Sequence, residues 1–286
     1  MASIKHYEKR MMAVCDYIYK HLDEDLSVET LCDVACFSKY HFHRQFSHFM
    51  GIGVFKFVQL LRLKRASYEL VFNKDKRIID IAMNAQFDHS ESFSRAFKKV
   101  FLQSPSEFRR QPNWLQWHQE YRPIENHRKQ TLHANIVDFA QTNIAVFEHR
   151  GPIEQVMESS AIFRNWRMRT GLSPVSSSRT FGIIYDDPDK VAPEDFRFDI
   201  AGEVLFPIGD NEEGIINKTL SEGRCAVLRH YGSHDNISDS VRMLYGTWLP
   251  NSGEELRDAP CFFHWLNFFP ETPEHELITD IYLPLT

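Results

Sequence analysis

The sequence predicts a multidomain chain: an all-α N-terminal domain with two helix-turn-helix units, then an α+β domain of two β-α-β-β repeats sharing an antiparallel sheet. Three observations carry this. The stretch Leu31 to Ser38 followed by Phe42-x-Arg44-x-Phe46 is echoed by Ile81 to Asp88 followed by Phe93-x-Arg95-x-Phe97. Farther on, Phe147-Glu148-His149-Arg150-Gly151-Pro152 and a helical pattern reaching Trp166 are echoed by Leu228-Arg229-His230-Tyr231-Gly232-Ser233 and one reaching Trp248. The net charge of −6 is split: residues 1–112 hold 18 Lys and Arg against 13 Asp and Glu, residues 113–286 hold 15 against 26. Boundaries follow at 1–112 and 131–286, with a polar connector over 113–130.

Apolar residues recur at helical spacing through residues 4–110. Tyr7 to Leu22 reads as a first helix with Met11, Val14, Cys15 and Ile18 inward. Ser27 is placed to cap a second helix and Ser38 a third, in which Phe42, Phe46 and Phe49 form one buried stripe. A long helix follows from Val54 to Phe72. Its 19 residues span roughly 29 Å, near the ~34 Å of one DNA turn, so it holds two reading heads at a separation suited to consecutive major-groove segments. Ile78 to Ala85 repeats the second helix, Asp88-x-x-Glu91 has the form of a capping box, and Phe93, Phe97, Val100 and Phe101 make the second stripe. Ser104-Pro105 opens a last short helix.

Tandem helix-turn-helix units on a basic domain point to double-stranded DNA as partner. The faces opposite the phenylalanine stripes carry Lys39, Tyr40, His43 and Arg44 in the first unit and Ser90, Glu91, Ser94, Arg95 and Lys98 in the second. Arg44 and Arg95 have the geometry to grip guanine O6 and N7, and Glu91 to accept from a cytosine amino group. Lys39, Lys98 and Lys99 suit phosphates, which position without reading sequence.

Residues from about 8 to 110 resemble the AraC/XylS-type DNA-binding domain. The resemblance rests on Ile78, Ile81, Ala82, Phe87, the run Phe93-Ser94-Arg95-Ala96-Phe97-Lys98-Lys99, and Pro105 with Arg109. It implies that Tyr40, His43, Arg44, Ser90, Glu91, Ser94 and Arg95 hold positions where relatives touch bases or backbone. Gln86 and Leu102 stand where that pattern has glycine, and each would need a left-handed backbone at a cost of order 1 kcal/mol.

The connector contains Pro112 and Pro123; Trp114, Trp117 and Tyr121 make it more aromatic than a free linker needs. Beyond it, strand-like runs Thr180–Tyr185 and Arg197–Phe206 follow the first helix, and Cys261–Phe269 and Glu276–Leu283 the second. This part resembles the GyrI-like effector-binding domain, on the motifs Tyr185-Asp186-Asp187-Pro188, Glu222 to Val227, Gly246-Thr247-Trp248-Leu249-Pro250 and Thr279 to Pro284. The resemblance implies a small, often aromatic or cationic, molecule in a cleft between the repeats. Where the resemblance implies a glutamate that balances a cation, this chain has Phe263, in the run Pro260-Cys261-Phe262-Phe263-His264-Trp265. Alternation along the strands groups Tyr185, Phe263, Trp265, Asp280 and Tyr282 into a candidate aromatic box, with core filling as the alternative role. The effector expected is neutral or weakly charged, and aromatic or lipophilic.

Further classes are narrowed by composition. No apolar run approaches the ~18 residues that span a bilayer, and the N-terminus has no signal-peptide segment, so a cytoplasmic protein without membrane contact is expected. Cys15, Cys32, Cys36, Cys225 and Cys261 lack zinc-site spacing and read as buried reduced thiols; no metal, cofactor or catalytic residue is expected. His149 and His230, each between a strand and a glycine turn, read as helix-start caps. The expected function is a sequence-specific transcriptional regulator in which an effector changes how the reading heads, or RNA polymerase, are engaged. The rival is a small-molecule hydrolase or ligand-sequestering protein tethered to DNA.

Overall fold

Seven helices follow the apolar spacing of the N-terminal part in the computed structural model, which describes residues 2–114, 116–117 and 133–286. They are α1 (Ala2–Lys20), α2 (Val28–Ala35), α3 (Lys39–Met50), α4 (Val54–Phe72), α5 (Ile78–Asn84), α6 (Ser90–Phe101) and α7 (Pro105–Arg110). The chain forms two compact units, one of residues 1–130 with 269–275, the other of 131–268 with 276–286.

In the first unit α2 and α7 start at side-chain caps. Ser27 Oγ accepts from the Thr30 amide, and Ser104 and Glu107 form a complete capping box with Pro105 at the first helical position. The second recognition helix departs from expectation: its N-cap is His89, one residue after Asp88, and no side chain caps it. The turn before α6 spans residues 85–89, two residues longer than the turn 36–38 before α3, where Ser38 is the N-cap but makes no side-chain bond. Met11, Val14, Cys15 and Ile18 of α1 pack with Leu31, Phe42, Phe46, Phe57 and Leu61 into one buried cluster. The second head is held by a chain of rings running through Phe87, Phe93, Phe97, Phe101 and Phe108.

Trp114 and Trp117, counted in the connector from the sequence, are buried in this unit. Trp117 stacks on Phe101 and donates to Ser67 Oγ of α4 at 3.0 Å, while Trp114 meets Phe108 edge-on. Tyr121, Pro123 and the rest of 118–130 lie outside the described residues. Three non-glycine residues adopt the left-handed region: Gln86 (φ 60) and Leu102 (φ 58), as their places in the pattern demand, and also Cys36 (φ 50) at the turn of the first head. Cys36 is exposed, against the expectation of five buried thiols; Cys15, Cys32, Cys225 and Cys261 are buried.

The second unit is an eight-stranded antiparallel sheet: β1 (Ala134–Phe139), β2 (Thr142–Arg150), β3 (Thr180–Ile184), β4 (Arg197–Glu203), β5 (Ile216–Leu220), β6 (Gly223–Tyr231), β7 (Cys261–Trp265) and β8 (Ile278–Pro284). Helix α8 (Val156–Thr170) joins β2 to β3, and α9 (Ile237–Met243) joins β6 to β7 through a π-helical turn at Leu244–Trp248 and a short α10 (Leu249–Ser252). The strand order, β1-β6-β8-β7-β3-β4-β2-β5, shows two β-α-β-β repeats meeting at β7 and β3.

Two strands that sequence reading did not anticipate close this sheet. β1 precedes β2 but pairs with β6 of the other repeat, and β5 precedes β6 but pairs with β2. Only Ala140 and Gln141 separate β1 from β2. In a flat sheet six strand spacings of ~4.8 Å would part them by ~29 Å, whereas three Cα steps reach at most ~11 Å. The sheet must curl until its edges approach, which gives it a convex face covered by helices and a concave face lined by the alternate residues.

Candidate DNA-reading heads and concave effector face

The recognition helices present what their phenylalanine stripes leave outward. Phe42 and Phe46 of α3 and Phe93 and Phe97 of α6 are fully buried, so on each helix the positions between them face solvent. Lys39, Tyr40, His43 and Arg44 are exposed, Tyr40 at 93%. On α6, Glu91, Arg95, Lys98 and Lys99 are exposed, and Ser90 and Ser94 half-buried. Eight of the ten residues expected to face DNA are thus exposed to solvent. Arg95 is lightly held, by Ser92 Oγ at 3.3 Å. Lys39 pairs with Glu29 of α2, which lowers the Glu29 pKa and raises that of Lys39. Both groups are solvent-exposed, so a phosphate can take over the lysine at little cost.

Strand alternation divides the second unit's candidates between the two faces. Phe263 and Trp265 belong to the convex core, with Phe163 and Trp166 of α8 and Phe198, Leu244 and Ile281. A Cβ placed on Gly182 would lie 2.5 Å from the rings of Trp265 and Phe198, so glycine is what lets Trp265 cross the neighbouring strand. Tyr185 and Tyr282 pack instead on the concave cluster with Phe139, Phe181 and Phe262. The box grouped from the sequence is thus split: Tyr185, Asp280 and Tyr282 share the concave face, and Phe263 and Trp265 lie behind it. A grouping one residue out of step changes every face, because the side-chain period of a strand is two.

The residues that line the concave face on β7 are Phe262 and His264. Phe262 stacks on Tyr282 with ring centroids 4.8 Å apart, and His264 lies 5.1 Å from Phe181. Burial lowers the His264 pKa below the ordinary histidine value, and Asp280 and Glu203 nearby offset this only in part. The centre is filled by Phe139, the last residue of β1, whose ring stands edge-on to Phe262 (5.0 Å), Tyr282 (5.4 Å) and Phe181 (6.3 Å). Neither His264 nor Phe139 was singled out in the sequence; equal division of β7 into faces would have found the first, but the route of β1 into the other repeat gives no local signal.

Each carboxylate on this face has a cationic partner. Asp199, fully buried, accepts from Arg150 at 2.9 Å, Lys218 at 2.6 Å and the Tyr185 hydroxyl at 2.7 Å. Arg229 grips both oxygens of Asp280 at 2.7 and 2.8 Å. Arg179 binds Glu203 and Thr142 and stands over the rings of Phe139 and Phe181; the bond to Arg179 lowers the Glu203 pKa. Desolvation raises the Tyr185 and Tyr282 phenols.

His149 and His230 sit on the convex side and repeat one geometry. His149 Nδ1 meets Ser159 Oγ at 2.8 Å and Nε2 meets the carbonyls of Gly151 and Pro152; His230 Nδ1 meets Ser240 Oγ at 2.8 Å and Nε2 the carbonyl of Ser233. A carbonyl can only accept, so Nε2 carries the proton and Nδ1 accepts from the serine. Each pair pins a strand end to its helix, and all four residues are buried. Among the described residues no three His, Cys, Asp or Glu side chains cluster to hold a metal, and no helix is long and apolar enough to cross a membrane.

Comparison with known proteins agrees with this division. Residues 134–286 match the GyrI-like small molecule binding domain, and residues 31–111 a helix-turn-helix domain. The probable transcriptional regulator YgiV of Escherichia coli K12 is 48% identical over 155 residues, which cover 54% of this chain and 97% of YgiV. The uncharacterized HTH-type transcriptional regulator YbfP of Bacillus subtilis is 40% identical over 104 residues, 36% of this chain and 35% of YbfP. The cryo-EM structure of an EcmrR–DNA complex covers 89% of this chain and 84% of that one, at TM-score 0.47 and 14% identity. The chain belongs to the GyrI-like small-molecule-binding family and carries an AraC-type helix-turn-helix domain in front of it.

Proposed function

We propose that the protein is a transcriptional regulator whose two heads read double-stranded DNA by sequence and whose concave sheet face takes a small effector. The observation that carries the reading is the pair of outward faces on α3 and α6, where Arg44 and Arg95 occupy the same place relative to the two buried phenylalanines. Arginine there reads guanine; the flanking lysines meet phosphates. The names borne by YgiV and YbfP support the regulatory role, as does placing both buried Ser–His pairs in structural positions, which speaks against the hydrolase.

The effector is neutral or weakly charged and aromatic. Four aromatic rings meet on the concave face, while Asp199, Glu203 and Asp280 are already neutralised by this chain's own cations. A cationic ligand would have to compete with arginines that cost nothing to bring in, whereas an apolar ring needs only to displace Phe139. Tyr185, Asp280 and Tyr282 line its site together with His264. RNA polymerase is the further partner through which the bound state is expressed.

A mobility-shift titration tests both parts. The full chain should enrich specific duplexes from a random pool, and 1-naphthol should change the affinity for them more than the permanently cationic dye crystal violet. Equal affinity for all duplexes would overturn the regulator; a response to the dye alone would overturn the effector class.

A further inference from the structure

The two reading heads are tied to each other by more than α4. The loop between α1 and α2 belongs to the first head, and four bonds converge on it from elsewhere. Arg62 of α4 donates to the carbonyls of Leu22 at 3.0 Å and Glu24 at 2.7 Å. Arg65, one turn on, pairs with the Asp23 carboxylate and donates to the carbonyl of Asn84 at the end of α5, at 2.9 Å. Gln86, in the turn of the second head, donates from Nε2 to the carbonyl of Asp23 at 2.8 Å. The turn of one head is thereby bonded directly to the loop of the other.

Gln86 occupies a left-handed position (φ 60) that glycine would hold without strain. What glutamine supplies there is reach: a side chain long enough to span to Asp23, with a donor at its end. Cys36 holds the corresponding left-handed position in the first head (φ 50), so the conformation is common to both turns. The reach belongs to Gln86.

We infer that Gln86, with Arg65, is a positioning residue that fixes the spacing and phase of α3 and α6 and so decides which half-site separation the protein accepts. This rests on the DNA reading above. Apolar packing already seats each head on α4, through Phe57 and Leu61 at one end and Trp117 on Ser67 at the other, but such packing is non-directional, and the bonds across Asp23 add fixed donor–acceptor distances between the heads. One added base pair moves the second half-site by ~3.4 Å and turns it by ~34°. Unbraced heads can pivot to follow such a shift; heads bonded across Asp23 cannot without breaking those bonds.

The test is selection of duplexes from a random pool by the full chain, as wild type and as Gln86→Gly, Gln86→Lys and Arg65→Gln, followed by titration of the best duplex with one base pair inserted between half-sites. Wild type should enrich one spacing and lose at least tenfold on insertion. Gln86→Gly and Arg65→Gln should enrich the same half-sites over a broader range of spacings, with the insertion penalty reduced about fivefold. Gln86→Lys, which keeps a donor of similar reach, should stay near wild type. If Gln86→Gly and Arg65→Gln keep the wild-type penalty, whatever their thermal stability, the brace is refuted. A wild type that enriches only single half-sites would overturn the two-headed reading and the brace with it.

Discussion

Both halves of the molecule are duplications, and they use the duplicate in opposite ways. In the N-terminal unit each copy keeps its own recognition helix and its own stripe of buried phenylalanines, and the copies stand at the two ends of α4. In the C-terminal unit the copies exchange their first strands, and a single convex core draws Phe163, Trp166 and Ile200 from one repeat and Leu228, Leu244 and Phe263 from the other. Readers of DNA gain from remaining separate, since each adds its own base contacts to affinity. A receptor gains from fusion: it creates one concave face that neither repeat could enclose. The difference also predicts how damage spreads, confined to one copy in front and shared between copies behind.

The largest effect should come from Phe263→Glu. Phe263 is 5% exposed within the shared core, so the new carboxylate would be buried with no partner. Such a charge costs about 3–5 kcal/mol, a large part of the ~5–15 kcal/mol that holds a domain. Urea unfolding should show the whole sheet melting early while the helical unit keeps its midpoint. Intact stability with tighter binding of crystal violet would instead return position 263 to the effector site.

A middle-sized effect sharpens the other side of the comparison. Arg44→Ala and Arg95→Ala should each lose about 1–3 kcal/mol of specific binding, each relaxing preference in its own half-site alone. Because the two arginines sit on separate helices with no shared partner, the double variant should lose close to the sum. Lys98→Ala should weaken all duplexes alike and reduce the salt slope by about one. Footprints in which Arg44→Ala alters both half-sites would show that the heads do not read independently.

The heads were legible in the sequence because helical structure is local. Phe42, Phe46, Phe93 and Phe97 announce a buried stripe, and the residues between them must face out. Caps were less legible: the second N-cap falls at His89 rather than at Asp88. Trp114 and Trp117 marked the connector as more aromatic than a free linker needs, but not where they pack, because the Ser67 hydroxyl that receives Trp117 lies 50 residues away. The concave face was the hardest to read. Its strands were recognised, but alternation grouped Phe263 with Tyr282, whereas Phe262 is the ring that stacks on Tyr282 and Phe263 packs in the convex core. Phe139 arrives on a strand that pairs with the opposite repeat. Such pairing depends on the closed sheet, and no periodicity in residues 134–139 reports it.

The smallest effect concerns the Ser–His pins that survive in both fused repeats. Burial lowers the His230 pKa below the ~6.5 of an unfolded chain. The unfolded state therefore binds more protons than the folded one as pH falls below ~6.5, and stability that is fully present above that value is lost toward the folded pKa. The loss is modest, because a proton on Nδ1 can be received by turning the Ser240 hydroxyl around rather than by breaking the bond. Urea midpoints at pH 7.5, 6.5 and 5.5 should fall for wild type. His230→Gln, less stable at pH 7.5 through lost contacts, should fall less over the same interval, and parallel curves for the two would show that His230 does not couple the shared core to pH.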